Sequence, residues 1–213
     1  MVRATLDQER RLEIGRQRRE KTRNGIIETA FQVVRERGAD EPMLEDFIAA
    51  AGVAKGTFYN HFPTKSELFH ALGSHVADAI DDRINLVVEG VTDPAQRIAV
   101  ACRQFVRLCR ERPEWGWILV RAMPGAQAGW SKGMQRGVLA DVRAGVKQGM
   151  FTVPSVQVAV VMGMGALAMA IQAVLSEKTS ARFGEDVAEM TLRAMGMNLE
   201  DAQRIAHLPL DLK

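Results

Sequence analysis

From Ile26 to Met197 the apolar residues recur at intervals of three and four, and no stretch of useful length alternates apolar with polar. Spacing of three and four draws a stripe along one face of a helix, whereas a half-buried strand needs a period of two. A sheet has nothing to be built from, so the fold class is all-α. Ile26, Ile27, Ala30, Phe31 and Val34 make one stripe that ends near Gly38. Pro42 opens a shorter helix with Leu44, Phe47, Ile48 and Ala51 inward, and Gly52 stops it. A third short helix carries Phe58 and ends at Phe62-Pro63. Thr64 and Glu67 form the capping box of a fourth, whose apolar face runs from Leu68 to Val87. That length, more than about five turns, leaves a three-helix head and reaches into a second domain. Asp93-Pro94 starts a fifth helix, Pro113 interrupts it, and Pro154-Ser155 open an apolar helix through Leu175. The last long helix is built around Val187, Met190, Ala194 and Met197.

The domain organisation that follows is a flexible basic arm over 1–21, frayed or a marginal helix, then a three-helix head over 22–68, a helical domain over 69–206 and a tail from 207 to 213. Charge is unevenly spread: residues 1–23 hold eight Arg/Lys against four Asp/Glu, and residues 97–150 hold ten against three. A basic arm suits contact with a phosphate backbone. The longest apolar run, Val158 to Ile171, is fourteen residues, short for a membrane span and better read as a buried helix that also serves an interface. Cys102 and Cys109 lie two turns apart on one helix, beyond disulfide reach. With no secretory pattern, a cytoplasmic protein without disulfides is expected. Enzyme chemistry has little to stand on. His61, His70, His75 and His207 make no zinc pattern, and no HExxH, GxSxG or glycine-rich phosphate loop occurs. No cofactor and no membrane partner are expected.

The informative stretch is Leu44 to Phe62. Ala49 to Ala51 let two helices approach closely, and Gly52 permits the positive φ of a tight turn. Phe58 and Phe62, four apart, anchor the third helix to the core. Lys55, Thr57, Tyr59, Asn60 and His61 are left as a polar set for a DNA groove, and Gly56 removes a side chain where the helix must approach a duplex. Tyr59 and Lys65 suit phosphates, contacts that position rather than specify. This is the arrangement of a helix-turn-helix.

From Ile26 to Leu72 the chain resembles the DNA-binding domain of the TetR family of bacterial transcription regulators. The resemblance is carried by Ala51-Gly52-Val53, by Lys55-Gly56-Thr57-Phe58-Tyr59-Asn60-His61-Phe62 and by Lys65-Ser66-Glu67-Leu68. It implies a homodimer on a palindromic double-stranded operator and a helical C-terminal domain for ligand binding and dimerisation. There a small-molecule effector weakens DNA affinity, most often releasing a repressor. Two positions depart from the pattern: Pro42-Met43 and Ala54 stand where the family often has Ser or Thr. Each removes a side-chain cap worth about 1 kcal/mol.

The second domain has no motif of its own. Cys102, Phe105, Cys109, Trp115, Trp117, Met123, Met134, Met162 and Met169 supply aromatic and adaptable apolar surface for an effector pocket, and ordinary core packing accounts for them equally well. Arg103 and Arg107 share a helix face and are the candidates for an acidic effector, with a solvated surface as the alternative. Val156, Val160, Gly163, Ala170, Val187, Met190, Ala194 and Met197 are the candidates for a four-helix dimer interface. Two other readings stand beside the ligand-responsive regulator: a DNA-binding dimer without an effector, whose second domain serves dimerisation or a protein partner, and a helical interaction protein independent of nucleic acid.

Overall fold

The computed structural model describes residues 2–122 and 132–209, with side chains from Arg10 onward. The described residues form ten helices and no strand. They divide into two compact units, Met1–Leu72 and Gly73–Lys213, so the boundary falls inside the fourth helix, a few residues beyond the division expected at 68 and 69.

The first unit holds α1 (Val2–Arg37), α2 (Leu44–Ala51), α3 (Lys55–His61) and the opening turns of α4 (Lys65–Val87). Its centre is aromatic. Ile26, Ala30 and Val34 of α1 meet Phe47, Phe58, Phe62, Leu68 and Leu72, all essentially buried. Phe47 and Phe69 pack edge to face with centroids 6.1 Å apart, the offset geometry that ring quadrupoles favour. Gly52, with φ +63°, turns the chain between α2 and α3.

Residues 2–21 are the continuous opening stretch of α1, the helical one of the two readings the sequence allows. Good helix formers and local pairs account for this, among them Glu13–Arg16 at 2.9 Å. From Arg10 to Gly25 every residue but Thr22 is exposed, so this stretch is helical without packing on a core. The missing cap of α2 is also partly made good. The Met43 N–H donates to Asp46 Oδ2 at 2.6 Å, and Arg37 Nη1 holds the other oxygen at 2.9 Å. Arg37 and then the Met43 N–H keep that carboxyl below the usual aspartate range. Ala54 does leave α3 without a side-chain cap.

The second unit holds the remainder of α4, then α5 (Pro94–Glu111), α6 (Pro113–Ala122), α7 (Lys132–Lys147), α8 (Val156–Ser176), α9 (Phe183–Ala194) and α10 (Leu199–Ala206). Pro94 sits at the first helical position, and Asp93 Oδ1 accepts from the N–H groups of Ala95 and Gln96 at 2.8 and 3.1 Å. Helix α5 is the axis of this unit: α6, α7, α8, α9 and α10 all pack on it. Ile98 and Cys102 join Val142, Phe151, Leu192 and Ile205 in one apolar cluster. The single last helix expected through Met197 is two. Gly196, with φ +88°, breaks it, and Asn198 caps α10 through the Asp201 N–H at 2.9 Å.

Helix α8 is not the buried helix the sequence implied. It is long and apolar enough by composition to cross a membrane, yet only 28% of its most apolar window is buried. Val158, Val161, Met162 and Met169 lie on its outside, and Met190 of α9 is exposed too.

Candidate nucleic-acid interface

Helix α3 is amphipathic by position. Phe58 and Phe62 are buried; Lys55, Gly56 and Asn60 are exposed, and Thr57, Tyr59 and His61 are half-buried. The ring of Tyr59 leans edge-on against Phe58, which fixes the direction of its hydroxyl, and the Lys55 ammonium lies 5.9 Å from its centroid. The six α3 residues expected to face a groove are therefore together on one short helix.

Lys65 is not with them. Its ammonium donates to the Pro42 carbonyl at 2.7 Å and sits 5.7 Å from the Phe69 centroid, closing the loop ahead of α2. A cation spent on a carbonyl of its own chain is a poor phosphate ligand as it stands.

The structure also brings in residues of α1, two of which the sequence assigned only to a general basic arm. Arg18, Arg19 and Thr22 of α1 line a cleft of about 490 Å³ with Thr57, Asn60 and His61 of α3. Arg19 Nη2 reaches the Asn60 carbonyl at 3.5 Å, and Arg23 lies over the Phe62 ring at 5.1 Å. Burial first, and then Arg19 and Arg23, hold the His61 imidazole below its usual pKa. Its Nδ1 is buried with no hydrogen-bond partner. The α1 spacing of 18, 19 and 22 could have signalled one basic face, but nothing local says that the face meets α3.

The effector candidates scatter. Cys102, Phe105, Cys109, Trp115 and Met134 are buried, and Trp117 is half-buried. Burial pushes the Cys102 thiol up to about 11 and that of Cys109 to about 12, so both stay protonated and unreactive near neutrality. Met162 and Met169 are on the outer face of α8, apart from these. Met123 lies outside the described residues. Arg103 is already held by Glu185 at 3.1 Å and by the Leu208 carbonyl at 2.6 Å. Arg107 pairs with Glu111 at 2.7 Å.

A different polar group stands out in this unit. Arg97 Nε meets Asp141 Oδ1 at 2.9 Å, with only 29% and 20% of the two side chains exposed. Burial nevertheless raises the Asp141 carboxyl, outweighing the attraction of Arg97. Asp81 of α4 is raised too, first by burial, and feels the same guanidinium. Arg97 thus pairs with Asp141, while Asp81 accepts from Asn85 Nδ2 at 3.4 Å.

The interface candidates divide by face. Val156, Val160 and Val187 pack against the chain's own apolar cluster, Met197 is part of it and Ala170 is buried. A Cβ on Gly163 would meet Met195 at 3.5 Å, so it too faces inward. Met190 and Ala194 do face outward.

Residues 93–208 match the family model described as "Tetracyclin repressor-like, C-terminal domain", and residues 26–72 match "Bacterial regulatory proteins, tetR family". The chain belongs to the TetR family. The HTH-type transcriptional repressor LfrR of Mycolicibacterium smegmatis is 36% identical over 90 residues, 41% of this chain and 43% of that one. An HTH-type regulator of Bacillus subtilis, YvdT, is 34% identical over 64 residues, 28% of this chain and 33% of that one. The matched segment thus spans less than half the length of either curated relative. A crystal structure of RolR in complex with resorcinol is similar over far more of the TetR-family fold, with a TM-score of 0.80, 29% identity, and 91% of this chain and 97% of that one covered.

Proposed function

We propose that this chain is a dimeric, ligand-released regulator that binds a palindromic operator through α3. One observation carries the reading: a short helix offers Lys55, Thr57, Tyr59 and Asn60 outward while Phe58 and Phe62 lock its other side. Thr57 is the base reader and Tyr59 the phosphate contact. Duplexes enriched from a random pool by the full chain provide the test. Tyr59→Phe should weaken binding to every enriched sequence by a similar factor, whereas Thr57→Ala should change which sequence is preferred. Unchanged affinity and preference in both variants would remove α3 from the groove.

A second copy of the chain covers the outward row of α8 and α9. In support, Val161, Met162 and Met169 are each about two-thirds exposed on an otherwise apolar helix, more apolar surface than a lone soluble helix presents. The family's two-fold assembly supplies the partner.

The effector is a small neutral hydroxylated aromatic, and the half-buried Arg97–Asp141 pair of the second unit is its candidate polar contact. An acidic compound on Arg103 and Arg107 is disfavoured, because both guanidiniums already have carboxylate partners. In support, the similar RolR was crystallised with resorcinol, and a carboxylate with one oxygen on Arg97 retains acceptor sites for a phenolic hydroxyl. Calorimetric titration with resorcinol should show binding that Asp141→Asn weakens about tenfold or more. Thermal melting of the variant controls for folding. Tighter binding of benzoate than of resorcinol would sink this assignment.

A further inference from the structure

The cleft between α1 and α3 does more than flank the recognition helix. Its lining is Arg18, Arg19, Thr22, Thr57, Asn60 and His61, with no carboxylate among them. Arg18 and Arg19 are exposed, and the one internal bond of Arg19, to the Asn60 carbonyl, is long at 3.5 Å. Thr22 spends its hydroxyl proton on the Arg18 carbonyl at 3.0 Å, so the free donors are the two guanidiniums, the Thr57 hydroxyl and the Asn60 amide. Beside them His61 Nδ1 is buried and unpartnered, in a ring whose pKa burial first, and then Arg19 and Arg23, hold below the usual value. Donors and positive charge converge on a lining that offers nothing negative. That is the chemistry of an oxyanion seat.

We propose that this cleft seats a backbone phosphate of DNA, so that α1 carries a share of the grip on the duplex and Thr57 stands where phosphate and base contacts meet. The inference rests on the assignment of α3 to the groove. It deepens it by adding an anchor on a different helix, one that fixes how far α3 can roll about its axis. The stretch of α1 from Arg10 to Gly25 supports it. It is helical yet exposed, about 24 Å long at 1.5 Å per residue, and carries Arg10, Arg11, Arg16, Arg18, Arg19, Lys21 and Arg23. A largely exposed helix rich in arginine suits the surface of a polyanion.

The test is the salt dependence of binding to two duplexes, one enriched by the full chain and one of unrelated sequence, for Arg18→Gln/Arg19→Gln and for Arg35→Gln. Arg35 is exposed on the same helix, about 24 Å from Arg19, and controls for charge alone. On both duplexes the double variant should bind about tenfold more weakly. The slope of log affinity against log salt should be shallower by about 0.9, one phosphate's share. Sequence preference should be unchanged, and Arg35→Gln should match the unsubstituted chain. An unchanged slope in the double variant overturns the seat, and so does an equal loss in Arg35→Gln. If Thr57→Ala shifts preference while the arginine pair does nothing, the seat fails and the groove assignment stands. If no duplex is enriched but the unrelated one shows the arginine-dependent slope, the groove assignment fails and the seat stands.

Discussion

Val161→Glu is expected to leave the chain monomeric and to weaken operator binding by about a hundredfold or more. Val161 is 66% exposed on the outer row of α8, between Val158 and Met169, so the substitution disturbs nothing inside the protomer and folding should be kept. In a two-fold assembly the same patch meets itself, and the variant places two like carboxylates in one apolar seam. A buried, unpaired charge costs several kcal/mol, enough to separate copies held by a helix-pair interface. Operator binding then loses the advantage of engaging both half-sites at once, which is worth about 10²–10⁴ in affinity. Sedimentation velocity and gel-shift titration check the two halves of the claim. A dimeric Val161→Glu with full operator affinity would place the interface elsewhere.

Gly196→Ala should lower the stability of the second unit by about 2–4 kcal/mol. The residue has φ +88°, where an added Cβ costs about 1–2 kcal/mol by itself. Here the Cβ would also lie 2.5 Å from the carbonyl oxygen and 3.0 Å from the nitrogen of Thr152, and neither is a flexible side chain. Thr152 cannot withdraw cheaply, because its N–H donates to the Met195 carbonyl at 2.9 Å. The strain falls on Phe151, Met195 and Met197, three members of the apolar cluster. Gly90→Ala provides the comparison within the same unit, with φ +79° and nothing within 4 Å of the added carbon. Chemical denaturation of the two variants separates the conformational cost from the collision. Equal losses would show that the Thr152 contact relaxes freely.

Much of the head was legible because the sequence there alternates its chemistry within each turn. Phe58 and Phe62 one turn apart, with Lys55, Tyr59 and Asn60 between and before them, leave a single way for α3 to lie on a core. The structure puts each of these where that pattern requires. The basic character of residues 1–23 was equally visible, but the choice between a frayed arm and a helix was not. Sparse apolar residues say that a segment lacks a core to pack on, which is not the same as lacking a helix. Helix α8 marks the opposite limit. Its residues are apolar on every side, so no phase could be read, and the inward and outward sets were exchanged. Met162 and Met169 face out, while Val160, Gly163 and Ala170 face in.

By itself the sequence determined the all-α class, the helix-turn-helix and the polar row of α3, because these follow from spacing within a few turns of one helix. Tertiary structure alone decided that Lys65 closes a loop, that Arg103 is bound by Glu185, that Asp141 pairs with Arg97, and that Arg18 and Arg19 meet α3. Each of these joins groups more than about four turns apart along the chain or on different helices. A charge takes whichever partner the packing of helices brings within reach, and local periodicity carries no record of that choice.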